Sequence, residues 1–296
     1  MLEQTGYIPV VNGHRVWFRA VGGGGEREST PLLVLHGGPG CPHDYLENLV
    51  ALASEKRRVI FYDQLGCGNS DLPDDTSLWT VERFTDEIDI VRAALGLERV
   101  HLLGQSCGGM LGIEYAIRQP RGLVSLILAD AMPSMVLWVE EANRLRAALP
   151  PEVNATLLRH EQAGTTDSPA YHAAVEVFNQ RHVCRLSPLP EFVQRANAKS
   201  GFMYNYMNGP SEFHVIGVIK DWDRTDRLND IQVPTLIISG KYDESTPLLN
   251  DILHKGISDS EWVLFEHSAH LPHVEEEEKF MRTVDAFLMR IDNQIA

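Results

Sequence analysis

The sequence predicts an α/β fold in which a mostly parallel central sheet is wrapped by helices and carries an inserted helical segment. Short, continuously apolar runs at 32–35, 59–62 and 100–103 alternate with helical patterns, which is typical of buried parallel strands. A long region without any strand-like run then separates these units from two further apolar runs near the C-terminus. A chain of 296 residues, 44% of them hydrophobic, is long enough for one large domain with such an insertion.

The chain begins with a predicted hairpin. Residues 7–11 and 14–20 have strand character and are joined by Asn12-Gly13, the strongest short hairpin signal. The glycines at 22–25 precede a strand and lack the lysine of a phosphate-binding loop, so they predict a surface connection.

The loops after the next two strands are rich in glycine. The first reads H-G-G-P-G, and because glycines leave backbone N–H groups uncovered, we expect the N–H of Gly38 to face an oxyanion. A plain Gly/Pro turn is the alternative, and His36 is expected to pack within this loop. The second loop, 63–70, resembles a dinucleotide loop, but its third glycine is missing and it predicts no cofactor site. Thr80 then caps an amphipathic helix that ends at Gly96.

The third of these strands ends in G-Q-S-C-G-G and opens at once into a helix. Gly104 and Gly108 flank Ser106 at two residues on either side, as a nucleophile elbow requires where strand and helix crowd each other. Ser106 is therefore the predicted nucleophile, and the N–H of Cys107 is the second predicted oxyanion donor. Cys107 is the alternative nucleophile, but Gln105 would then occupy the crowded side of the turn, where glutamine does not fit.

A segment with helical patterns follows the strand at 123–128. Patterns at 136–149, 153–159 and 171–183 are the clearest, and none of the segment is strand-like. Inserted between strands, it would lie over the C-terminal edge of the sheet, where open α/β sheets bind ligands. The sequence therefore predicts two domains, an α/β-hydrolase core at 1–132 and 226–296 and a helical cap at 133–225.

A nucleophilic serine needs a base, and the base needs an acid that orients it. Asp243 follows the strand at 233–240, which is the expected place for the acid in the chain order Ser, Asp, His of α/β-hydrolases. Asp130, directly after another strand, and Asp63 are the alternative acids.

The predicted base is His270, which lies beyond the last strand at 262–265 on a loop of small residues that can reach the elbow. His267, still in the alternation of the strand, and His273, at a helix start, are the alternatives. The acidic run 275–278 suits the N-terminus of the final helix and is expected to need no functional role. That helix is expected to bury Phe280, Val284, Phe287, Leu288 and Ile291.

Charge and composition exclude several kinds of partner. A net charge of −15 argues against nucleic acid and anionic membrane surfaces, whereas it is compatible with a cationic substrate. The four cysteines are scattered without metal-ligand spacing, so neither metal nor disulfide framework is expected. The start lacks the pattern of a signal peptide, and no apolar run approaches the roughly 18 residues of a membrane span. We therefore expect a cytoplasmic protein without cofactor.

The motifs at 36–40, 63–70 and 104–109 together resemble the proline iminopeptidase family of serine α/β-hydrolases. Segments 207–213 and 219–223 look like those of the tricorn-interacting aminopeptidase branch, and the likeness covers nearly the whole chain. The resemblance implies cleavage of an N-terminal residue, often proline, from short peptides. Related enzymes release ammonia from amino-acid amides or split arylamides.

The resemblance also implies that acidic side chains hold the free amino terminus of the substrate. Carried over by motif, these are Glu212 on the cap and Glu244 beside Asp243. A buried ammonium must be paired, and its partner fixes which bond faces the nucleophile. Cys107 departs from the large aromatic residue that the family commonly carries there, which changes the pocket next to Ser106.

The predicted function is thus a serine aminopeptidase acting on a small peptide or an aminoacyl amide. The alternative is an amino-acid amide amidase or a carboxylic ester hydrolase acting on a small specialised metabolite. A binding protein that keeps the fold without catalysis is a third reading, which an intact Ser, Asp and His set disfavours. The sequence does not determine the oligomeric state.

Overall fold

The computed structural model describes residues 2–26 and 28–295, and its strands form one eight-stranded sheet. The strands are β1 (Glu3–Pro9), β2 (Arg15–Val21), β3 (Leu32–Leu35), β4 (Val59–Tyr62), β5 (Val100–Gln105), β6 (Leu123–Ala129), β7 (Thr235–Gly240) and β8 (Ser260–Phe265). Their spatial order is β1-β2-β4-β3-β5-β6-β7-β8. The pairs β1–β2 and β2–β4 are antiparallel and all later pairs are parallel, which confirms the predicted mostly parallel sheet.

Helices cover both faces of the sheet and fill the insertion. They are α1 (Val81–Ala94), α2 (Cys107–Ile117), α3 (Met135–Ala147), α4 (Pro151–Ala163), α5 (Pro169–His182), α6 (Glu191–Lys199), α7 (Phe202–Met207), α8 (Pro247–Gly256), α9 (Pro272–Glu275) and α10 (Glu277–Ile295). Short 3₁₀ helices span His43–Leu52, Thr76–Leu78 and Thr225–Asp230. Helix α8 was not predicted. None of the helices in the described part of the chain is long and apolar enough to cross a membrane.

Strands β3 and β4 are apolar at every position because both faces of the sheet are covered. All residues of β3 and β4 are buried, and successive residues alternate between two cores. Leu33 and Ile60 belong to the core on one face, whereas Leu32 and Val59 belong to the core on the other. The five apolar residues predicted for the final helix are all buried in α10. Because β5, β6 and β7 pair in parallel, their carboxyl ends lie along one edge of the sheet.

The helical insertion leaves the sheet after β6 and returns before β7 at adjacent points. The N–H of Arg224 donates to the carbonyl of Pro133 at 2.9 Å, and the hydroxyl of Ser134 donates to Asp223 at 2.9 Å. A segment whose ends are tied in this way can pack as a unit over the edge of the sheet. The domain ranges 1–132, 133–225 and 226–296 remain predictions, and Met1, Arg27 and Ala296 within them lie outside the described residues.

Candidate active site

Ser106 lies at the turn between β5 and α2 with φ 56° and ψ −124°, a backbone region that L-residues rarely adopt. The flanking glycines make this turn sterically feasible. A Cβ atom on Gly104 would lie 2.2 Å from the carbonyl oxygen of Gly108, and one on Gly108 would lie 2.2 Å from that of Leu35. Ser106 therefore stands at the carboxyl edge of the sheet, 8% exposed, at the head of a helix.

His270 and Asp243 form a buried pair near this serine. Nδ1 of His270 donates a hydrogen bond to Oδ1 of Asp243 at 2.7 Å, and the same oxygen accepts the N–H of Ser245 at 2.8 Å. The backbone N–H of His270 donates to the carbonyl of Val183 at 3.0 Å, and the edge of Trp138 faces the imidazole at 5.7 Å. The imidazole is thus oriented by the loop after β7 and by the helical insertion together.

Two polar side chains that the sequence analysis missed join the loops around the site. The hydroxyl of Tyr45 donates to Oε1 of Gln105 at 2.6 Å and accepts the N–H of Gly37 at 2.7 Å. Nε2 of Gln105 donates to the carbonyl of His270 at 3.0 Å. The glycine-rich loop, the elbow and the histidine loop are therefore linked. Gln105 was visible in the elbow motif, whereas nothing in the sequence pattern marked Tyr45.

The acidic run near the final helix also has a role that the sequence analysis did not expect. Glu275 accepts the N–H groups of Ala269 and Arg185 at 2.7 and 2.9 Å. Glu276 accepts the N–H of His267 and the hydroxyl of Ser268. These two carboxylates hold the loop before His270, which is a structural contribution beyond the electrostatic one expected at a helix N-terminus.

The alternative acids and bases have other environments. Asp63 accepts hydrogen bonds from the backbone N–H and from Nδ1 of His43, at 2.9 and 2.8 Å. His267 is exposed, whereas Nε2 of His273 donates to the carbonyl of Tyr45 at 3.1 Å and burial lowers the pKa of His273 to about 3. His36 packs within its loop, as expected, and accepts the N–H of Gln64 at 3.0 Å. Of the alternatives, Asp130 alone lies beside the acid–base pair.

Ser106, His270, Glu212 and Glu244 line one cavity of about 500 Å³ beneath the insertion. Oε1 of Glu244 lies 3.8 Å from Nε2 of His270. The hydroxyl of Tyr204 donates a hydrogen bond to Oε1 of Glu212. The two glutamates come from distant parts of the chain, one from the insertion and one from the loop after β7.

The segment that carries Glu212 has a defined backbone. Gly209 has φ 140°, and a Cβ atom there would lie 2.4 Å from the carbonyl oxygen of His214, so the turn requires glycine. The indole N–H of Trp138 donates to the carbonyl of Glu212 at 2.9 Å. This local structure directs the Glu212 side chain into the cavity.

The two glutamates would stabilise a cation bound in the cavity. Burial raises the pKa of both carboxyls, and the charges of Glu212 and Asp243 raise that of Glu244 further. Oε2 of Glu244 is buried without a hydrogen-bond partner among the residues that the structure describes. No lysine or arginine is among the described residues that line the cavity. A cationic group entering it would therefore find two unneutralised acids.

Gly38 lines the cavity together with Ser106, and Cys107 directly follows Ser106 in the chain. The N–H of Gly37 is already bound by Tyr45, which leaves that of Gly38 as the next amide of the loop. Cys107 is the first residue of α2, where N–H groups have no acceptor within the helix. The Cys107 thiol donates to the carbonyl of Gly38 at 3.3 Å, and burial raises its pKa. A thiol that keeps its proton is a poorer nucleophile than a thiolate, so burial disfavours Cys107 as the alternative nucleophile.

Oxygen atoms of Asp130 and Asp243 and a ring nitrogen of His270 lie within 4.8 Å of one another, a separation that a metal site could have. Nδ1 of His270 and Oδ1 of Asp243 are, however, joined directly by a 2.7 Å hydrogen bond. An ion would have to break this bond. The donor set therefore fits an acid–base pair with a second carboxyl behind it.

The sheet, the elbow and the buried histidine–aspartate pair define the class of protein, a serine hydrolase of the α/β-hydrolase fold. A family model for the alpha/beta hydrolase fold matches residues 30–277. The proline iminopeptidase of Heyndrickxia coagulans is 41% identical over 290 residues, which cover 97% of this chain and 99% of that protein. This chain belongs to the proline iminopeptidase family, which confirms the resemblance found in its sequence.

Two solved structures are similar to this chain over nearly its whole length. The crystal structure of the Mycobacterium smegmatis proline iminopeptidase has a TM-score of 0.90 and 44% identity, covering 99% of this chain and 100% of that one. The crystal structure of VinJ has a TM-score of 0.93 and 41% identity, covering 97% and 99%. The finer likeness to tricorn-interacting aminopeptidases stays a prediction.

Proposed function

We propose that this protein is an aminopeptidase that releases an N-terminal residue, proline foremost, from short peptides. Ser106 is the nucleophile, His270 the base and Asp243 the acid that orients it. The N–H groups of Gly38 and Cys107 are the oxyanion donors. Glu212 and Glu244 bind the substrate's amino group. The relatives named proline iminopeptidase favour this function over the amidase or esterase alternative.

The observation that carries the proposal is the pair of buried glutamates in the serine's cavity. Two carboxylates with raised pKa values are costly to ionise without a cation. A free N-terminal ammonium supplies that cation, whereas an internal peptide bond carries none. Because Glu244 lies 3.8 Å from His270, an ammonium on it is held next to the base. The first carbonyl of a peptide bound in this way is then the one nearest the serine.

The oxygens of the glutamates suit an N-terminal proline. Oε1 of Glu212 already accepts the hydroxyl of Tyr204, and Oε2 of Glu244 has no partner in the described part of the chain. A protonated proline nitrogen has two N–H donors, so one carboxylate can accept each of them. A primary ammonium has a third donor that needs a further acceptor, which favours proline when the cavity closes around it.

The reaction proceeds through an acyl-enzyme. Oγ of Ser106 attacks the carbonyl carbon of the first residue while Nε2 of His270 takes the hydroxyl proton. The N–H groups of Gly38 and Cys107 stabilise the oxyanion. His270 then protonates the leaving amine, and the peptide bond breaks. Water, deprotonated by His270, attacks the ester and releases the free amino acid.

The helical segment 133–225 acts in this proposal as a cap that selects small substrates. It supplies Glu212 and much of the cavity wall, which includes Val175, Asn179, Val183, Val193 and Asn197. A folded protein chain cannot thread beneath these helices. Substrates are therefore short peptides or aminoacyl amides.

The test is a panel of chromogenic substrates with the purified protein. The panel contains prolyl and alanyl arylamides, prolinamide, N-acetylprolyl arylamide and a nitrophenyl ester. It distinguishes a requirement for the free amino group from a preference for one leaving group. We expect turnover of the prolyl arylamide and none of its N-acetyl form. Equal turnover of the blocked and free arylamides overturns the role of the glutamates, and preference for the ester overturns the peptidase function.

Variants of the acids sharpen the test. Glu212→Gln removes one charge from the cavity and should raise the KM for the prolyl arylamide about 10- to 100-fold, as expected for a lost charge-assisted contact. The matched control is Glu161→Gln, which changes a cap glutamate paired with Arg146 at 2.8 Å. Glu161 does not line the cavity, so its replacement should leave KM unchanged.

A further inference from the structure

Asp130 lies directly after β6 and is buried, with a carboxyl oxygen within 4.8 Å of one of Asp243. Its backbone adopts φ 52°, in the left-handed region, and its N–H donates to the carbonyl of Ile238 at 2.8 Å. The N–H of Gly240 donates to Oδ1 of Asp130 at 3.3 Å. Strain at a non-glycine residue persists only where the surroundings hold it in place. The side chain is thus aimed at Asp243 from the neighbouring strand.

The hydrogen bonds around Asp130 and Asp243 indicate which of the two carboxyls carries a proton. Oδ2 of Asp130 and Oδ2 of Asp243 are both buried and have no donor among the described residues. Two carboxylates in contact away from water cannot both be charged, whereas one proton between them satisfies both oxygens. Oδ1 of Asp243 accepts two N–H donors, from His270 at 2.7 Å and from Ser245 at 2.8 Å, whereas Oδ1 of Asp130 accepts that of Gly240 at 3.3 Å. The proton therefore belongs to Asp130.

We propose that Asp130 is a positioning residue of the catalytic site, whose neutral carboxyl donates a hydrogen bond to Asp243 and holds that carboxylate in line with His270. The inference rests on the proposed roles of Ser106, His270 and Asp243. Asp130 does not line the cavity, so it acts on the reaction through Asp243.

The electrostatics of the pair agree with this geometry. Burial, followed by the charge of Asp243, raises the pKa of Asp130 well above its usual value. The titratable groups that face Asp130 are Asp243, His270, Glu275 and Tyr45. The carboxyls among them disfavour a second negative charge on Asp130, so its protonated form is favoured.

Two variants separate hydrogen-bond donation from mere packing. Asp130→Asn keeps an N–H donor toward Asp243 and an oxygen toward Gly240, whereas Asp130→Ala removes both. The readout is the rate at which a fluorophosphonate labels Ser106, which requires no knowledge of the peptide substrate. We expect labelling of Asp130→Ala to slow about 10- to 100-fold and that of Asp130→Asn to stay within about threefold of wild type.

The pH profile of labelling adds a readout that packing alone does not move. Without a donor from residue 130, more of the charge of Asp243 acts on His270 and favours its protonated form. The acid limb should therefore move up by roughly 0.5–1 unit in Asp130→Ala and stay in place in Asp130→Asn. A downward shift in Asp130→Asn means that Asp130 is ionised in the wild type and overturns the proposal. So does an alanine variant that labels at the wild-type rate, or an asparagine variant as slow as alanine.

A control variant tests whether a general loss of stability would slow the labelling. Asp292→Ala removes a partly buried carboxylate of α10 that is paired with Arg57, and should lower the melting temperature without slowing the labelling. If Asp130→Ala does not fold, the infrared difference spectrum between wild type and Asp130→Asn still decides the matter. It should show the carbonyl band of one neutral carboxyl at neutral pH, and its absence refutes the proposal. A protein that labels as expected but leaves prolyl arylamides intact overturns the peptidase function alone.

Discussion

Glu244 Oε1 lies 3.8 Å from His270 Nε2, so the proposed amine-binding group and the proposed base share one small volume. Each carboxyl of the Glu212–Glu244 pair must be ionised to bind an ammonium. Their pKa values are raised. As the pH falls, substrate binding therefore begins to weaken at a higher pH than it would with ordinary glutamates.

The first prediction concerns this pH dependence. As the pH falls through the raised pKa values, Glu212 and Glu244 take up protons and kcat/KM for prolyl arylamide decreases. Glu212→Gln removes a charge that raises the pKa of Glu244, so the acid limb of the residual activity should move to lower pH. The kcat/KM profiles of both proteins check this, and an unmoved limb contradicts the coupling.

The second prediction concerns Tyr204. Its hydroxyl donates to Glu212, and Tyr204→Phe leaves that carboxylate with one donor fewer. A hydrogen bond to a charged group contributes about 1.5–3 kcal/mol, so KM should rise roughly 10- to 100-fold with kcat nearly unchanged. Tyr206→Phe, on the same helix but 39% exposed, is the matched control. A loss confined to kcat in Tyr204→Phe shows that the hydroxyl does not serve the binding of the amine.

The third prediction concerns the elbow. Gly108→Ala places a Cβ atom 2.2 Å from the carbonyl oxygen of Leu35, and rigid backbone on both sides cannot yield without moving Ser106. Overpacking of this kind costs about 1–3 kcal/mol or more. We expect a lower melting temperature together with a loss of fluorophosphonate labelling. Gly201→Ala is the control, because nothing lies within 4 Å of a Cβ atom there. Full labelling of Gly108→Ala contradicts the geometry of the turn.

The fourth prediction concerns acid stability. Burial opposes ionisation of Asp292, but the hydrogen bond with His101 and the charges of His101 and Arg57 outweigh it and lower its pKa to about 2. A depressed folded-state pKa stabilises the protein above the unfolded value of about 3.9, and this contribution is lost as the pH falls toward 2.

Asp292→Asn should therefore lower the free energy of unfolding by about 2 kcal/mol at neutral pH. This difference from wild type should shrink as the pH falls toward the pKa of Asp292 in the folded protein. Urea unfolding at neutral and acidic pH measures it, with Asp285→Asn on the same helix as the control. A constant difference between the two pH values shows that Asp292 does not titrate as described.

Much of the fold could be predicted from the sequence. The strands and the elbow are predicted by residues that lie close together in the sequence. Apolar runs predict β3 to β5. Gly104 and Gly108 predict the turn at Ser106, because strand and helix meet there. Helix α8 escaped prediction, as did the role of Glu275 and Glu276, whose partners lie in the loop before His270. Leu249 and Leu253 of α8 are four residues apart and both buried, which is a local helical signal, whereas the partners of Glu275 and Glu276 are set by the tertiary structure alone.

The sequence by itself therefore determined the mostly parallel sheet and the turn at Ser106, and it predicted the order of nucleophile, acid and base, since each of these motifs is made of residues a few positions apart. Only the tertiary structure decided that Glu212 and Glu244 face one cavity, that Tyr45 reaches Gln105, and that Asp130 touches Asp243. Those contacts join residues distant in the chain, and they form only when the carboxyl ends of neighbouring strands are brought to one edge beneath the inserted helices.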